Sequence, residues 1–444
     1  MKITPVIPDL DRYRKAITRL QTTRLHGKVV QVVGLTIEVV GVDSQIGEVC
    51  EIQTKGGDTL LSEVVGFRNE RTLLMPLGDM QGIQPGSPVY PTRDVFRTPV
   101  GKSLLGRVLD GLGRPLDTKG PLGLLETRQI YAHAPHPLTR KAIDEPLVTR
   151  TRAIDGLLTI GKGQRIGIFA GSGVGKSTLL GSLARNARAD VNVIGLVGER
   201  GREVAEFIDR DLGPEGLERS VVVVATSDQP ALVRLKAAWV STTIAEYFRD
   251  LSYDVILMMD SVTRFAMAQR EVGLAVGEPP ASKGYTPSVF ALLPQLLERA
   301  GTGDKGSSIT GLYTVLVEGD DFNEPISDSV RSILDGHIAL SREIAARNHY
   351  PAIDVLHSLS RVMPAVTKQD HRKWAGQMRK LMATYEKARD LVNIGAYVSG
   401  SDQDIDASLE SLPRINAFLQ QTPTEATAYE DTLTMLAEIG GKGS

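Results

Sequence analysis

The run Ala170-Gly171-Ser172-Gly173-Val174-Gly175-Lys176-Ser177 places three glycines, an ammonium group and a hydroxyl within a few residues of one another. Glycines let successive main-chain N–H groups turn inward and surround an anion. The apolar stretch Arg165–Phe169 precedes the run, and Thr178–Ala187, which suits a helix, follows it. A helix starting there would aim its N-terminus at the same anion. Strand, glycine loop and helix in that order are the context a phosphate loop requires. Lys176 is expected to reach the β- and γ-phosphates of a nucleoside triphosphate, and Ser177 to ligate Mg²⁺. The expected nucleotide-binding set is Gly171, Ser172, Gly173, Val174, Gly175, Lys176, Ser177 and Thr178. Ala170 replaces the usual first glycine, at a position that only closes the turn. A second Gly-Lys-Ser, Gly101–Ser103, reads as connector, because Pro99 removes a donor and no apolar strand leads into it.

Two carboxylates follow strand-like runs. Asp254–Asp260 is an apolar strand ending in Asp260, which can hold the Mg²⁺ shell directly or through water, or can cap the next helix. Gly198-Glu199-Arg200-Gly201-Arg202-Glu203 ends the next strand after the phosphate-loop helix. The C-terminal ends of parallel strands line the ligand crevice, so Glu199 is the candidate to polarise an attacking water. Arg200 and Glu203 can orient Glu199 or the metal's waters. Taken alone, such a Gly-Glu-Arg turn can also be a solvated loop.

These groups need a frame. Residues 93–365 are read as a connector followed by an ATP-binding α/β core. Its strands are expected at Arg165–Phe169, Val191–Val197, Val221–Ala225, Val255–Met259, Thr310–Val317 and Ala352–Leu356. Near-continuous apolar strands separated by helices imply a parallel sheet covered on both faces. Residues 26–92 carry short β-branched runs, Val29–Val40, Glu48–Gln53, Thr59–Phe67 and Thr72–Leu77, that suggest a small β-barrel. Residues 93–150, rich in Gly and Pro, are expected to wrap the surface between domains. Residues 366–444 read as a helical C-terminal domain, with Trp374, Met378, Leu381, Tyr385, Ala388 and Val392 at helical spacing. Residues 1–25 contain a basic amphipathic helix with Leu10, Tyr13, Ile17 and Leu20 on one stripe. It either packs on its own body or docks a partner or an acidic membrane surface.

Composition narrows the function. Lys and Arg number 51 against 53 Asp and Glu, for a net charge of −2. That balance supplies no basic footprint for nucleic acid. One cysteine, Cys50, rules out an intrachain disulfide, and the seven scattered histidines lack metal-ligand spacing. No apolar run approaches the roughly 18 residues of a membrane span, and the N-terminus lacks a signal-peptide core. A cytoplasmic protein is expected.

Pro351-Ala352-Ile353-Asp354-Val355-Leu356-His357-Ser358-Leu359-Ser360 resembles the signature of the rotary-ATPase α/β superfamily. With the phosphate loop, Gly198–Glu203 and Asp260, the chain from about residue 25 resembles that superfamily throughout. It looks most like the flagellar and type III protein-export ATPases. The resemblance implies a β-barrel, a RecA-like core and a helical C-terminal domain, assembled as a homohexameric ring. It implies that Arg361 is an arginine finger reaching the neighbouring subunit's γ-phosphate, and that Tyr350 lies against adenine. It also implies that Gly277–Pro280 through Leu293-Pro294 face the ring's channel. Glu199 stands where non-catalytic subunits carry Gln, so the chain looks catalytic. No aromatic residue lies near Thr422–Pro423, where the rotary synthase β subunit places one on the base. The partners implied are a stator-like regulator at the N-terminal helix, a central stalk, export-gate membrane proteins and substrate–chaperone complexes, with the ring peripheral to the inner membrane. The flagellar branch is favoured over the injectisome. A rotary synthase subunit would need an alternating partner, and an RNA translocase is opposed by the charge balance and by a barrel poor in clustered aromatic and basic residues.

Overall fold

The structure, a computed structural model, describes residues 26–303, 306–317, 321–322 and 324–441. The amphipathic stretch at residues 9–25 lies outside them. Tertiary contacts divide the chain into two units, the first ending at Phe96.

In the first unit six antiparallel strands close a barrel: β1 (Gly27–Val33), β2 (Thr36–Val40), β3 (Glu48–Gln53), β4 (Thr59–Arg68), β5 (Arg71–Pro76) and β6 (Pro88–Val95), in the order β1-β2-β5-β4-β3-β6. Closure leaves no open sheet edge. The inward residues Ile37, Val39, Cys50, Ile52, Leu74 and Val89 fill it. Burial pushes the Cys50 thiol up to about 12. The β-branched run Val29–Val40 is a hairpin that turns at Gly34, whose φ of 57° is the left-handed conformation glycine tolerates.

The second unit is built on one long sheet. Its strands are β7 (Arg107–Asp110), β8 (Arg165–Ala170), β9 (Val191–Val197), β10 (Ser220–Ala225), β11 (Asp254–Asp260), β12 (Ser308–Leu316), β13 (Gly336–Leu340) and β14 (Ile353–Ser360), ordered β14-β13-β8-β12-β11-β9-β10-β7. The principal helices are α1 (Arg152–Leu157), α2 (Lys176–Asn186), α3 (Gly201–Glu206), α4 (Ala231–Asp250), α5 (Val262–Val276), α6 (Pro287–Leu297), α7 (Gln369–Asn393), α8 (Gln403–Leu419) and α9 (Tyr429–Gly440). β9 and β10 are buried along their whole length, as parallel strands covered on both faces must be.

Three expectations are corrected. The connector does not only wrap the surface, because its Arg107–Asp110 joins the sheet edge, parallel to β10. A strand also leads into the second Gly-Lys-Ser, since Arg97–Val100 pairs antiparallel with Glu126–Gln129. Only a single turn, Lys102–Leu104, follows it, with no helix to face an anion. Finally, the sheet is not wholly parallel. The strand expected at Ala352–Leu356 is β14, which runs antiparallel to β13 at the edge.

Two ion pairs brace this unit, one joining the chain just after α6 to α4 and one joining β7 to the loop that follows it. Arg299, fully buried, donates Nε to Glu246 Oε1 at 2.8 Å and Nη2 to Thr243 Oγ1 at 3.0 Å. Arg107 grips Asp117 through Nε and Nη2, and that guanidinium holds the Asp117 carboxyl well below the usual carboxylate range. Among the described residues, no helix is long and apolar enough to cross a membrane.

Candidate nucleotide site

β8 is buried from Ile166 to Ala170, which fixes where the chain must leave the sheet. Gly173 and Gly175 then take φ values of 79° and 85°, and α2 begins at Lys176 with Gly175 as its cap. Leu179, Leu180, Leu183 and Ala184 bury the inner face of α2. Its N-terminal N–H groups are thereby left to face the loop. A side chain at Gly171 would strike the Arg342 guanidinium, with Nε 2.8 Å away, and one at Gly175 would sit 3.4 Å from the Tyr350 ring. The loop is therefore a cradle closed over by two side chains.

Parallel registry brings the remaining groups together. Leu196 lies beside Asp260, so Glu199, three residues past Leu196, reaches the same corner. Lys176 Nζ donates to Asp260 Oδ1 and stands 3.7 Å from Glu199 Oε1. Thr314 Oγ1, from the neighbouring strand β12, donates to Asp260 Oδ1 at 2.7 Å. Asp260 does not cap α5; the hydroxyl of Ser261 does, accepting from Arg264 N at 3.3 Å. A cleft of about 830 Å³ opens here, lined by Gly171, Ser172, Gly173, Gly175, Lys176, Ser177, Thr178, Glu199, Glu203 and Asp260, among others. Val174, from the same loop, points into the core and is 2% exposed.

The electrostatics of the corner are asymmetric. Burial, then the Asp260 charge, raise Glu199 to about 7, while Lys176 pulls it down. Burial opposes the charge on Lys176, but Asp260 and Glu199 keep its pKa raised. Burial acts against ionised Glu203, yet hydrogen bonding to Glu199 and the nearby Arg200 leave its carboxyl below the ordinary value. Of these two carboxyls, Glu199 is thus the one whose charge the corner opposes. Glu199 Oε1 is buried without a hydrogen-bond partner, an orphan acceptor of the kind that a water or metal-bound ligand satisfies.

Glu203 takes a hydrogen bond from Arg200 at 3.0 Å, and the Arg200 side chain is 77% exposed. Both stand at the rim. Among the described residues, no group of three or more His, Cys, Asp or Glu converges on one point. Ser177 and Asp260 both line the cleft, and a hydroxyl and a carboxylate are oxygen donors of the kind Mg²⁺ takes beside substrate phosphates.

A second recess of about 350 Å³ adjoins the loop, lined by Thr151, Gly173, Gly175, Thr178, Leu179, Ser182, Tyr350, Pro351, Gln421, Thr422 and Pro423. Tyr350 is 39% exposed within it. Arg361 is elsewhere. β14 leaves the loop end of the sheet, with Ile353 beside Leu340 and Leu340 beside Ala170. At the other end Arg361 N donates to Asp335 O at 3.0 Å, next to Arg165 at the start of β8. At ~3.3 Å per residue, the five steps of β8 from Arg165 to Ala170 separate Arg361 from its own phosphate loop by roughly 17 Å.

Sequence reasoning missed Arg264, Arg342 and Thr314, all at or beside the cleft. None stands at a diagnostic spacing, because each is delivered by tertiary folding. A cationic residue four positions after Asp260 was the only available hint, for Arg264.

A phosphate loop, a strand-end carboxylate and a second buried carboxylate on a RecA-like sheet, with a barrel and a helical C-terminal region, define a three-part P-loop nucleotide-binding protein. A family model for the ATP synthase alpha/beta nucleotide-binding domain matches residues 150–360, and one for its beta-barrel domain matches residues 29–93. A model for the type III secretion ATPase C-terminal domain matches residues 367–438. The chain is 54% identical to the "Flagellum-specific ATP synthase" of Bacillus subtilis, over 94% of this chain and 95% of that one. It is 52% identical to the "Type 3 secretion system ATPase" of Xanthomonas euvesicatoria, over 96% of each. The assembled ATPase EscN of enteropathogenic E. coli superposes with a TM-score of 0.87 at 46% identity, covering 93% of this chain and 99% of that one. The chain belongs to the ATP synthase α/β family, in its flagellar and type III secretion branch.

Proposed function

We propose that the chain is the ATPase of a bacterial flagellar export apparatus, hydrolysing ATP to energise or prepare protein export. The observation that carries the reading is the meeting of Lys176, Glu199 and Asp260 at one phosphate loop, two of them on strand ends. The backbone N–H groups of Gly171–Gly175 and the α2 terminus hold the phosphates, and Lys176 counters their charge. Mg²⁺, held by Ser177 and Asp260 with Glu203 near its waters, supplies charge neutralisation when bound. Glu199 orients the attacking water and takes up its proton. Arg200 steadies Glu203 at the rim. Tyr350 covers the base beside Gly175.

Arg361 serves the site of a neighbouring copy in a homohexameric ring, since its own phosphate loop is too far away. A stalk protein occupies the channel of that ring, in line with EscN having been captured with its central stalk EscO. The N-terminal helix binds a stator-like regulator, and the ring sits in the cytoplasm against the inner-membrane export gate, where substrate–chaperone complexes arrive. Identity to both flagellar and injectisome relatives also supports the same chemistry in a virulence secretion system. A rotary synthase subunit is disfavoured by the secretion-type C-terminal region. Mass measurement of the purified chain with MgATP tests this reading. A hydrolysing six-copy ring of this chain alone is expected. Activity only with an alternating second subunit would overturn it.

A further inference from the structure

One wall of the Tyr350 recess comes from outside the nucleotide-binding sheet. Gln421, Thr422 and Pro423 belong to the turn between α8 and α9. Arg185 of α2 donates Nη2 to Pro423 O at 2.9 Å, and two buried residues fasten the turn from behind. Gln421, 8% exposed, donates from Nε2 to Arg150 O at 2.8 Å and to Glu425 O at 2.9 Å, and its Oε1 accepts from Arg152 N at 2.9 Å. Both amide hydrogens are committed to main-chain carbonyls, so this side chain has no donor left for a ligand. Its main-chain N–H donates to Tyr350 O at 2.8 Å, tying the turn to the residue that forms another part of the recess. Arg152, 6% exposed, spreads its guanidinium over the end of α8 and the turn. Nε donates to Phe418 O at 2.9 Å, Nη1 to Thr427 Oγ1 at 2.9 Å and to the Glu425 carboxylate, and Nη2 to Gln420 O and, at 3.4 Å, to Ala417 O. Neither residue belongs to the phosphate cleft lined by Lys176 and Asp260.

We infer that Arg152 and Gln421 are positioning residues for the nucleotide's base: they hold the Gln421–Pro423 wall against Tyr350, so that the helical C-terminal region sets affinity for the base through a clasp that lies outside the phosphate cleft. The inference rests on the reading of this recess as the base site. A planar guanidinium and a planar amide, each with its donors committed to several points on and around the turn, restrain the wall. Without them the wall samples positions in which the recess is too wide to grip a ring, and affinity falls by the fraction of time spent there.

The test compares Mg²⁺-ATP with Mg²⁺-tripolyphosphate, which carries the phosphates and no base, on the full-length wild type, Tyr350→Ala, Gln421→Ala and Arg152→Lys. Gln421→Ala is expected to weaken ATP binding roughly tenfold, the scale of losing a buried hydrogen-bonding group. It should raise KM with kcat within about twofold, and leave tripolyphosphate unchanged. Arg152→Lys, which keeps the charge and loses the fork, should show the same split, smaller in size. Where Gln421→Ala fails to fold, Gln421→Met keeps the length and drops the hydrogen bonds. Parallel loss of ATP and tripolyphosphate affinity would overturn the inference, as would an unchanged ATP affinity in Gln421→Ala while Tyr350→Ala weakens it. A Tyr350→Ala chain that binds ATP as the wild type does would instead overturn the base-site reading.

Discussion

Replacing Glu199 by Gln separates its chemical role from its cost to the fold. The carboxyl is 8% exposed and lies beside Asp260, and burial with that neighbouring charge lifts it from 4.5 to about 7. A shift of that size opposes ionisation in the folded chain by about 3 kcal/mol. The sign follows from proton counting. Between pH 4.5 and 7 the folded chain holds the proton that the unfolded chain has lost, so stability falls as pH rises and the full penalty applies above about pH 7. Gln carries no such penalty. Without nucleotide, Glu199→Gln should therefore unfold about 2–6 °C higher than the wild type at pH 8.5, and at pH 5.5 the gap should shrink to under half. Turnover moves oppositely, with a loss of about 10²–10⁴ for removing a general base, while ATP binding is retained. In the wild type, kcat/KM should fall on the acid side of about pH 7, where the free enzyme's Glu199 is neutral. Thermal unfolding at two pH values and steady-state phosphate release measure these outcomes. Wild-type turnover in the variant, or a stability gap that ignores pH, would refute the reasoning.

Lys176→Ala should lose both nucleotide binding and hydrolysis, checked by titration with a fluorescent nucleotide. Arg361→Ala should bind ATP normally and lose about 10³ or more in turnover. Mixing it with Lys176→Ala protomers should recover activity, because an intact loop would then meet an intact finger; a mixture as inactive as its parts would refute action between subunits. Arg299→Ala leaves Glu246 buried and unpaired, and should cost about 3–5 kcal/mol in denaturant unfolding without altering ATP affinity in the folded fraction.

The phosphate loop was legible in sequence because it is local: strand, glycines and helix follow one another, and nothing distant is needed to interpret Lys176. Glu199 and Asp260 were legible one step further, since both end apolar strands and parallel strands present their ends on one side. What placed them at one corner was registry, with Leu196 beside Asp260, which composition does not encode. β7 was hidden by its length: four residues between Gly106 and Gly111 carry too little apolar pattern, and they become a strand because β10 offers an edge. Thr314 and Arg342 were invisible for the same reason as the Gln421–Arg152 clasp, whose partners lie some 270 residues apart in sequence. Tyr350 was reached only through resemblance, and its seat over Gly175 is a tertiary fact.

The orientation of β14 has a consequence for how sites can be linked. Had this edge strand run parallel to β13, its C-terminal end would lie with the other strand ends, and Arg361 would emerge beside its own Lys176. Running antiparallel, β14 begins near the loop, just after Tyr350, and delivers Arg361 to the far end, where Asp335 holds its main chain and also accepts from Arg165. Eleven positions in sequence thus separate Tyr350, beside the phosphate loop, from Arg361 at the opposite end of the sheet. β14 is hydrogen-bonded to β13 at both ends, but its register breaks between them, where Asp354–Leu359 face only Ala339–His337. In the proposed ring, a displacement of Tyr350 by the base would have to be absorbed by the sheet or passed to Arg361. The antiparallel edge, with its bulge, and the Asp335 carbonyl therefore set the position of Arg361, the proposed finger.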